Sequence, residues 1–146
     1  MRKCLPVFFD RKATMSNAVN RARLVLKTGS LVFGLSALLL IIAPALFNEL
    51  LGLATNPALE WSMRMIGITL VALAGNMFSV ASRGSEASVR FSARVMQASA
   101  FALGVLTLLI PATQTWFTIG YAAIGFAFSL AYTIALGFGA KAEQAQ

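Results

Sequence analysis

The sequence predicts an all-α integral membrane protein, a four-transmembrane-helix bundle built from two antiparallel hairpins. Three observations lead there. First, four long apolar runs, at residues 30–46, 63–81, 95–110 and 116–140, take up most of the 146-residue chain. Each approaches or exceeds the roughly 20 residues that a helix needs to cross a hydrocarbon core of about 30 Å. Second, the chain is 58% hydrophobic and only 12% charged, with a mean hydropathy of +0.77. A soluble domain carries about 25% charged residues, and so little charge cannot coat a surface that faces water. Third, eleven of the twelve Lys and Arg residues fall on one side of the plane that the runs define. The runs are continuous and lack the in–out alternation of barrel strands. Helix is the better assignment, because lipid offers the backbone no outside hydrogen-bond partner.

The elements follow in order. Residues 1–27 are a basic cytoplasmic N-terminal segment with a small apolar patch at residues 5–9. Two readings of this lead compete. One is an arm held on anionic headgroups, at about 1 kcal/mol per basic residue. The other is translation from Met15, with a shorter basic lead. Residues 28–140 make the four-helix membrane domain. Ala43-Pro44-Ala45 has the form of a signal-peptidase site, but the long apolar run before it suits a retained helix that ends near Pro44. Leu46, Phe47, Leu50, Leu51 and Leu53 share one apolar face, a short amphipathic turn at the outer interface. Asn56-Pro57 then breaks the chain. Trp61 opens the second helix where an interfacial aromatic belongs. Residues 82–93 read as a polar, Ser/Arg-rich loop in which Val89 and Phe91 dip into the interface. Residues 111–115 form so short a link that the third and fourth helices must be antiparallel neighbours. Trp116 opens the fourth helix, and residues 141–146 are a cytoplasmic tail.

The formal charge of +7 raises nucleic-acid binding for a soluble protein. Here the positive-inside rule accounts for it, and no nucleic-acid partner is predicted. Arg2, Lys3, Arg11, Lys12, Arg21, Arg23 and Lys27 precede the first run, Arg83, Arg90 and Arg94 lie between the second and third, and Lys141 is in the tail. Both termini are therefore expected in the cytoplasm. The single Cys4 forms no internal disulfide. Without any His, bis-histidine haem ligation, histidine-rich metal sites and Ser-His-Asp catalysis are excluded. No Asp, Glu or Lys lies inside the predicted apolar core, which argues against proton-coupled transport and a retinal Schiff base. No catalytic residue, metal or cofactor is predicted.

What remains are polar candidates. Arg64 is the one basic residue on the outer side, and Glu60 stands four residues earlier, in the favourable order for a helical ion pair. Arg64, Val71, Gly75 and Ser82 are expected to face other helices, as are Gln97, Ala100, Gly104, Thr107 and Pro111. Asn76 and Gln97 are expected as buried amides that need partners inside the bundle, with Tyr121 and Tyr132 lining the same interior. Gly125, Ser129, Thr133 and Gly137 recur every four residues. Such small-residue faces let helices approach closely in lipid, within the bundle or between two copies of the chain.

The pattern Pro44-x-x-Phe47-x-x-x-Leu51-Gly52-Leu53, followed by Trp61-x-x-Arg64-x-x-Gly67, resembles small uncharacterised four-helix inner-membrane proteins of bacteria. These share a similar proline–aromatic–Leu-Gly turn and Arg-x-x-Gly entry to the second helix. The resemblance covers the first two helices. It implies a bacterial inner-membrane location and no particular activity. The function expected is that of a non-enzymatic accessory or interaction subunit. Its partners are the lipid bilayer and a membrane protein, a second copy of this chain included. The alternative is an oligomeric small-solute or lipid transporter or channel that uses the Asn76/Gln97 interior and an Arg64 mouth.

Overall fold

The structure, a computed structural model, describes residues 5–143, with side chains for residues 17–137. The predicted residues Arg2, Lys3 and Cys4 and the end of the tail lie outside the described residues. Among those described, the chain is all α: α1 Leu5–Ile42, α2 Pro44–Leu50, α3 Pro57–Arg83, α4 Glu86–Leu108 and α5 Trp116–Glu143. Four helices hold stretches long and apolar enough to cross a membrane, at Asn17–Ile42, Pro57–Arg83, Glu86–Leu108 and Trp116–Gly137. That is the make-up of an integral membrane protein.

Helix α1 begins well before the apolar run at residue 30. It has 38 residues, a length of about 57 Å at 1.5 Å per residue, so most of the expected N-terminal segment is helical. Met15 lies inside this helix. Ala43 ends it with a non-helical ψ of 61°, as the residue before a proline is biased to do. Pro44 then starts α2, where its missing N–H is no loss.

The end of α2 explains the Leu51-Gly52-Leu53 sequence. Leu53 N–H donates to Asn48 C=O and Gly52 N–H to Glu49 C=O, both at 2.9 Å. These are the two bonds of a Schellman motif, which needs a left-handed residue between them. Gly52 supplies it with φ +75°. The buried face of α2 is Pro44, Phe47, Asn48 and Leu51, whereas Leu46 is exposed. The turn is amphipathic as expected, but rotated from the predicted face.

The polar loop predicted at 82–93 is a correction. Only Gly84 and Ser85 separate α3 from α4. Ser85 caps α4 by accepting from Ser88 N–H, and Glu86 occupies the first turn, where a carboxylate suits the positive end of the helix dipole. Val89 is fully buried instead of interfacial. The polarity that suggested a loop belongs to a helix start.

The most extensive helix interfaces are α1 with α3 and α4 with α5, and α1 also packs on α5. Two cores result. Near the basic residues, Ala22 and Leu26 of α1, Met77 of α3, Val89 and Met96 of α4 and Tyr132 of α5 pack together. At the opposite end, Leu40, Phe47 and Leu51 are joined by Phe117 and Tyr121. Ala18, Ala22, Ala37, Ala74, Ala81, Ala93, Ala100, Ala122 and Ala135 are buried, while Leu31, Ile42, Ile68, Phe101, Leu106 and Leu130 are exposed. Alanine thus supplies much of the buried surface beside those large core residues, and many large apolar residues face outward, as suits helices packed in lipid, where close backbone approach gains much.

Candidate interaction surface

Polar groups between the helices are mostly engaged within the chain. Arg23 of α1 donates from Nη1 to Ala81 C=O at 2.8 Å and from Nη2 to Gly84 C=O at 2.7 Å. Its fork thereby satisfies carbonyls at the end of α3, where a cation also complements the helix dipole. In the sequence Arg23 registers only as one of many basic residues. Nothing in its local spacing reveals a partner some 60 positions away. Ser30 Oγ donates to Ala74 C=O at 2.7 Å, a second link between α1 and α3. At the tryptophan end, Thr115 Oγ1 donates to Leu50 C=O and accepts from Thr118 N–H. One threonine therefore holds α2 down and caps α5.

The predicted amides separate. Gln97 is half-buried, and its Nε2 donates to Thr133 Oγ1 at 2.7 Å, linking α4 to α5. Asn76 is exposed on α3, and among the described residues nothing hydrogen-bonds to it. The expectation that Asn76 and Gln97 share one interior is corrected. The buried face of α3 is Gly67, Ala74, Met77 and Ala81. Asn76 lies two residues beyond Ala74, a rotation of about 200° on a helix, so it points away from the core.

The predicted stripe Arg64, Val71, Gly75 and Ser82 is likewise exposed throughout. Hydropathy could not orient this helix, because its buried face is mostly small and its exposed face is apolar too. No ion pair joins Glu60 and Arg64, whereas Glu86 and Arg90, at the same spacing, approach to 3.8 Å. An exposed pair of this kind contributes only about 0.3–0.5 kcal/mol, too little to impose one geometry.

The seam on α4 lies where the spacing puts it, with Ala100, Gly104 and Thr107 buried, although Pro111 is exposed. On α5 the four-residue repeat is used in part. A Cβ at Gly125 would come within 3.0 Å of Ala100 O and 3.1 Å of Gly104 N, so α4 and α5 touch backbone to backbone there. Ser129 is half-buried, Thr133 and Gly137 are exposed, and nothing lies within 4 Å of a Cβ at Gly137. A strict four-residue step advances about 400° on a helix. The stripe therefore drifts about 40° per step and leaves the interface within three.

Among the described residues, two buried polar side chains lack partners. Asn48 is fully buried with neither amide atom bonded, and the Tyr132 hydroxyl is unbonded close to Gly29. Sequence reasoning missed Asn48, because an amide on an apolar face reads as its polar edge. A cavity of about 20 Å³ between α1, α4 and α5 is lined by Val32, Phe33, Met96, Leu103 and Phe128 among others, and no polar atom opens onto it. That is room for about one water with nothing to hold it. Among the described residues no group of three His, Cys, Asp or Glu side chains comes together as a metal site.

The outward side of α3 is different. Met65, Thr69, Ala72, Asn76, Ser79 and Arg83 are all exposed. They recur at alternating steps of four and three residues, which holds one face along the helix, opposite the core. No protein-family model, curated protein or solved structure matches this chain.

Proposed function

We propose that this chain is a non-enzymatic interaction subunit of the bacterial inner membrane. Its four long helices cross the bilayer as two antiparallel hairpins with both termini in the cytoplasm, and it docks another membrane protein on the outward face of α3. The carrying observation is Asn76. In water an exposed amide is ordinary. In hydrocarbon it has no partner unless another helix brings one, and leaving such a group unpaired costs several kcal/mol. Asn76 lies seven residues before Arg83, about 10 Å inside the basic end of α3 at 1.5 Å per residue. Thr69, Ala72 and Ser79 keep the rest of the face small enough for a partner backbone to approach. The exposed Trp61 and Trp116 support the same placement, since tryptophan belongs at membrane interfaces. The transport reading drew on one polar interior shared by Asn76 and Gln97, and no observation now favours it.

The test is site-specific photocrosslinking in intact membranes, with the crosslinker at Ala72 or Ser79, both exposed beside an intact Asn76, and, as control, at buried Met96. The expected result is a discrete protein adduct from the first two positions and none from the third. The adduct's mass then tells a second copy from a different protein. Uncrosslinked monomer from every position overturns the reading.

A further inference from the structure

We infer that the groove between α1 and α3 is a binding site for one anionic phospholipid of the leaflet next to the basic residues. The inference rests on the membrane placement proposed above. The groove is an open one of about 580 Å³, with Gly34 and Gly75 among its lining, Leu38, Val71 and Phe78 along it, and Lys27 at one end. It is a gap in the packing that glycine leaves open. Gly29 and Gly67 are held tightly within the bundle, where an added Cβ would come within 3 Å of Met77 and Ile41 respectively. At Gly34 and Gly75 a Cβ would meet nothing within 4 Å. Internal packing therefore does not require glycine at these two positions.

Length and charge select the occupant. Leu38 lies eleven positions beyond Lys27, about 16 Å along the helix, close to half of a hydrocarbon core of about 30 Å. The groove thus spans one leaflet and fits one acyl chain. Its only charged lining residue is Lys27, and no carboxylate is among the lining residues. Lys27 is exposed and, among the described residues, has no hydrogen-bond or ion-pair partner. Its neighbour one turn away, Arg23, is occupied by the α3 carbonyls. An ammonium on a long stem can reach the headgroup level while its methylenes stay among the chains, where a lipid phosphate can meet it. A second copy of the chain docked symmetrically here would instead bring another Lys27 to the same depth.

Native mass spectrometry tests this on the full chain, released from vesicles of equal parts phosphatidylcholine and phosphatidylglycerol. Wild type is expected to retain one lipid with phosphatidylglycerol favoured. Lys27→Gln keeps a lipid but lowers that preference about fivefold, the contribution of one basic residue at an anionic surface. Gly75→Leu, which has room to fold, fills the groove and loses the lipid, whereas Gly120→Leu, at another open position, keeps it. An unchanged headgroup preference in Lys27→Gln, or a retained lipid in Gly75→Leu, overturns the site. So does a disulfide dimer formed by Gly34→Cys in a Cys4→Ser background, which places a second copy in the groove. A chain that does not sediment with the vesicles overturns the membrane placement itself, and the site with it.

Discussion

Substituting Gly125 and Gly137 by alanine separately tests whether the four-residue repeat of α5 works as one face. At Gly125 the new methyl would come within 3.0–3.2 Å of three backbone atoms of α4, Ala100 O, Gly104 N and Gly104 Cα. Backbone cannot rotate away as a side chain can, so the helices must separate. Overpacking of this kind costs about 1–3 kcal/mol, offset by about 0.5–1 kcal/mol because alanine is the better helix former. Gly125→Ala is therefore expected to lose up to about 2.5 kcal/mol. At Gly137 the methyl meets nothing within 4 Å, so only the propensity acts, and Gly137→Ala gains about 0.5–1 kcal/mol. Equilibrium unfolding in mixed micelles by added SDS reads both, with helicity as the signal. Equal stability of the two variants would refute the argument, because it would mean that α4 and α5 do not meet at Gly125.

Arg23→Leu is expected to lose about 2 kcal/mol in the same assay, since two charge-assisted bonds to the end of α3 disappear; Arg23→Lys should recover only part, having no fork with which to hold two carbonyls. A double-mutant cycle over Gln97→Leu and Thr133→Val should give a coupling of about 0.6 kcal/mol, the usual scale for a hydrogen bond between helices in a membrane, and zero coupling would separate the two residues. Asn76→Leu should leave the stability of the isolated chain within about 0.5 kcal/mol while abolishing the crosslinked adduct at Ala72; a large loss of stability would place Asn76 inside the bundle.

Much of the fold is legible before any coordinates. Continuous apolar runs bounded by Pro44, Asn56-Pro57, Pro111 and tryptophans mark four long helices, because each boundary has a local cause. The small-residue seam of α4 is legible for the same reason, since Ala100, Gly104 and Thr107 hold a heptad-like spacing. The face of α3 is not. In water the apolar side of a helix is its buried side, but where the surroundings are also apolar the pattern loses its direction, and the spacing points Asn76 and Gly75 inward whereas both are exposed. Long-range partners are equally hidden. Arg23 reaches the end of α3 through the tertiary register, and Asn48 is buried by the docking of α2 and not by its own pattern. The helical start of α4 was obscured by composition, since Ser85, Glu86 and Ser88 serve equally well in a cap and in a loop.

The central claim is that four spans place the basic end of the bundle in the cytoplasm and the tryptophan end outside. Single cysteines in a Cys4→Ser background test it most directly, at Thr55 and Thr113 in the two links of the tryptophan end and at Ala87 beside the α3–α4 turn, all exposed. Treated on intact spheroplasts with a membrane-impermeant maleimide, Thr55→Cys and Thr113→Cys should be labelled at once and Ala87→Cys only after lysis. Labelling of Ala87→Cys from outside, or of Thr55→Cys and Thr113→Cys from opposite sides, would contradict the account.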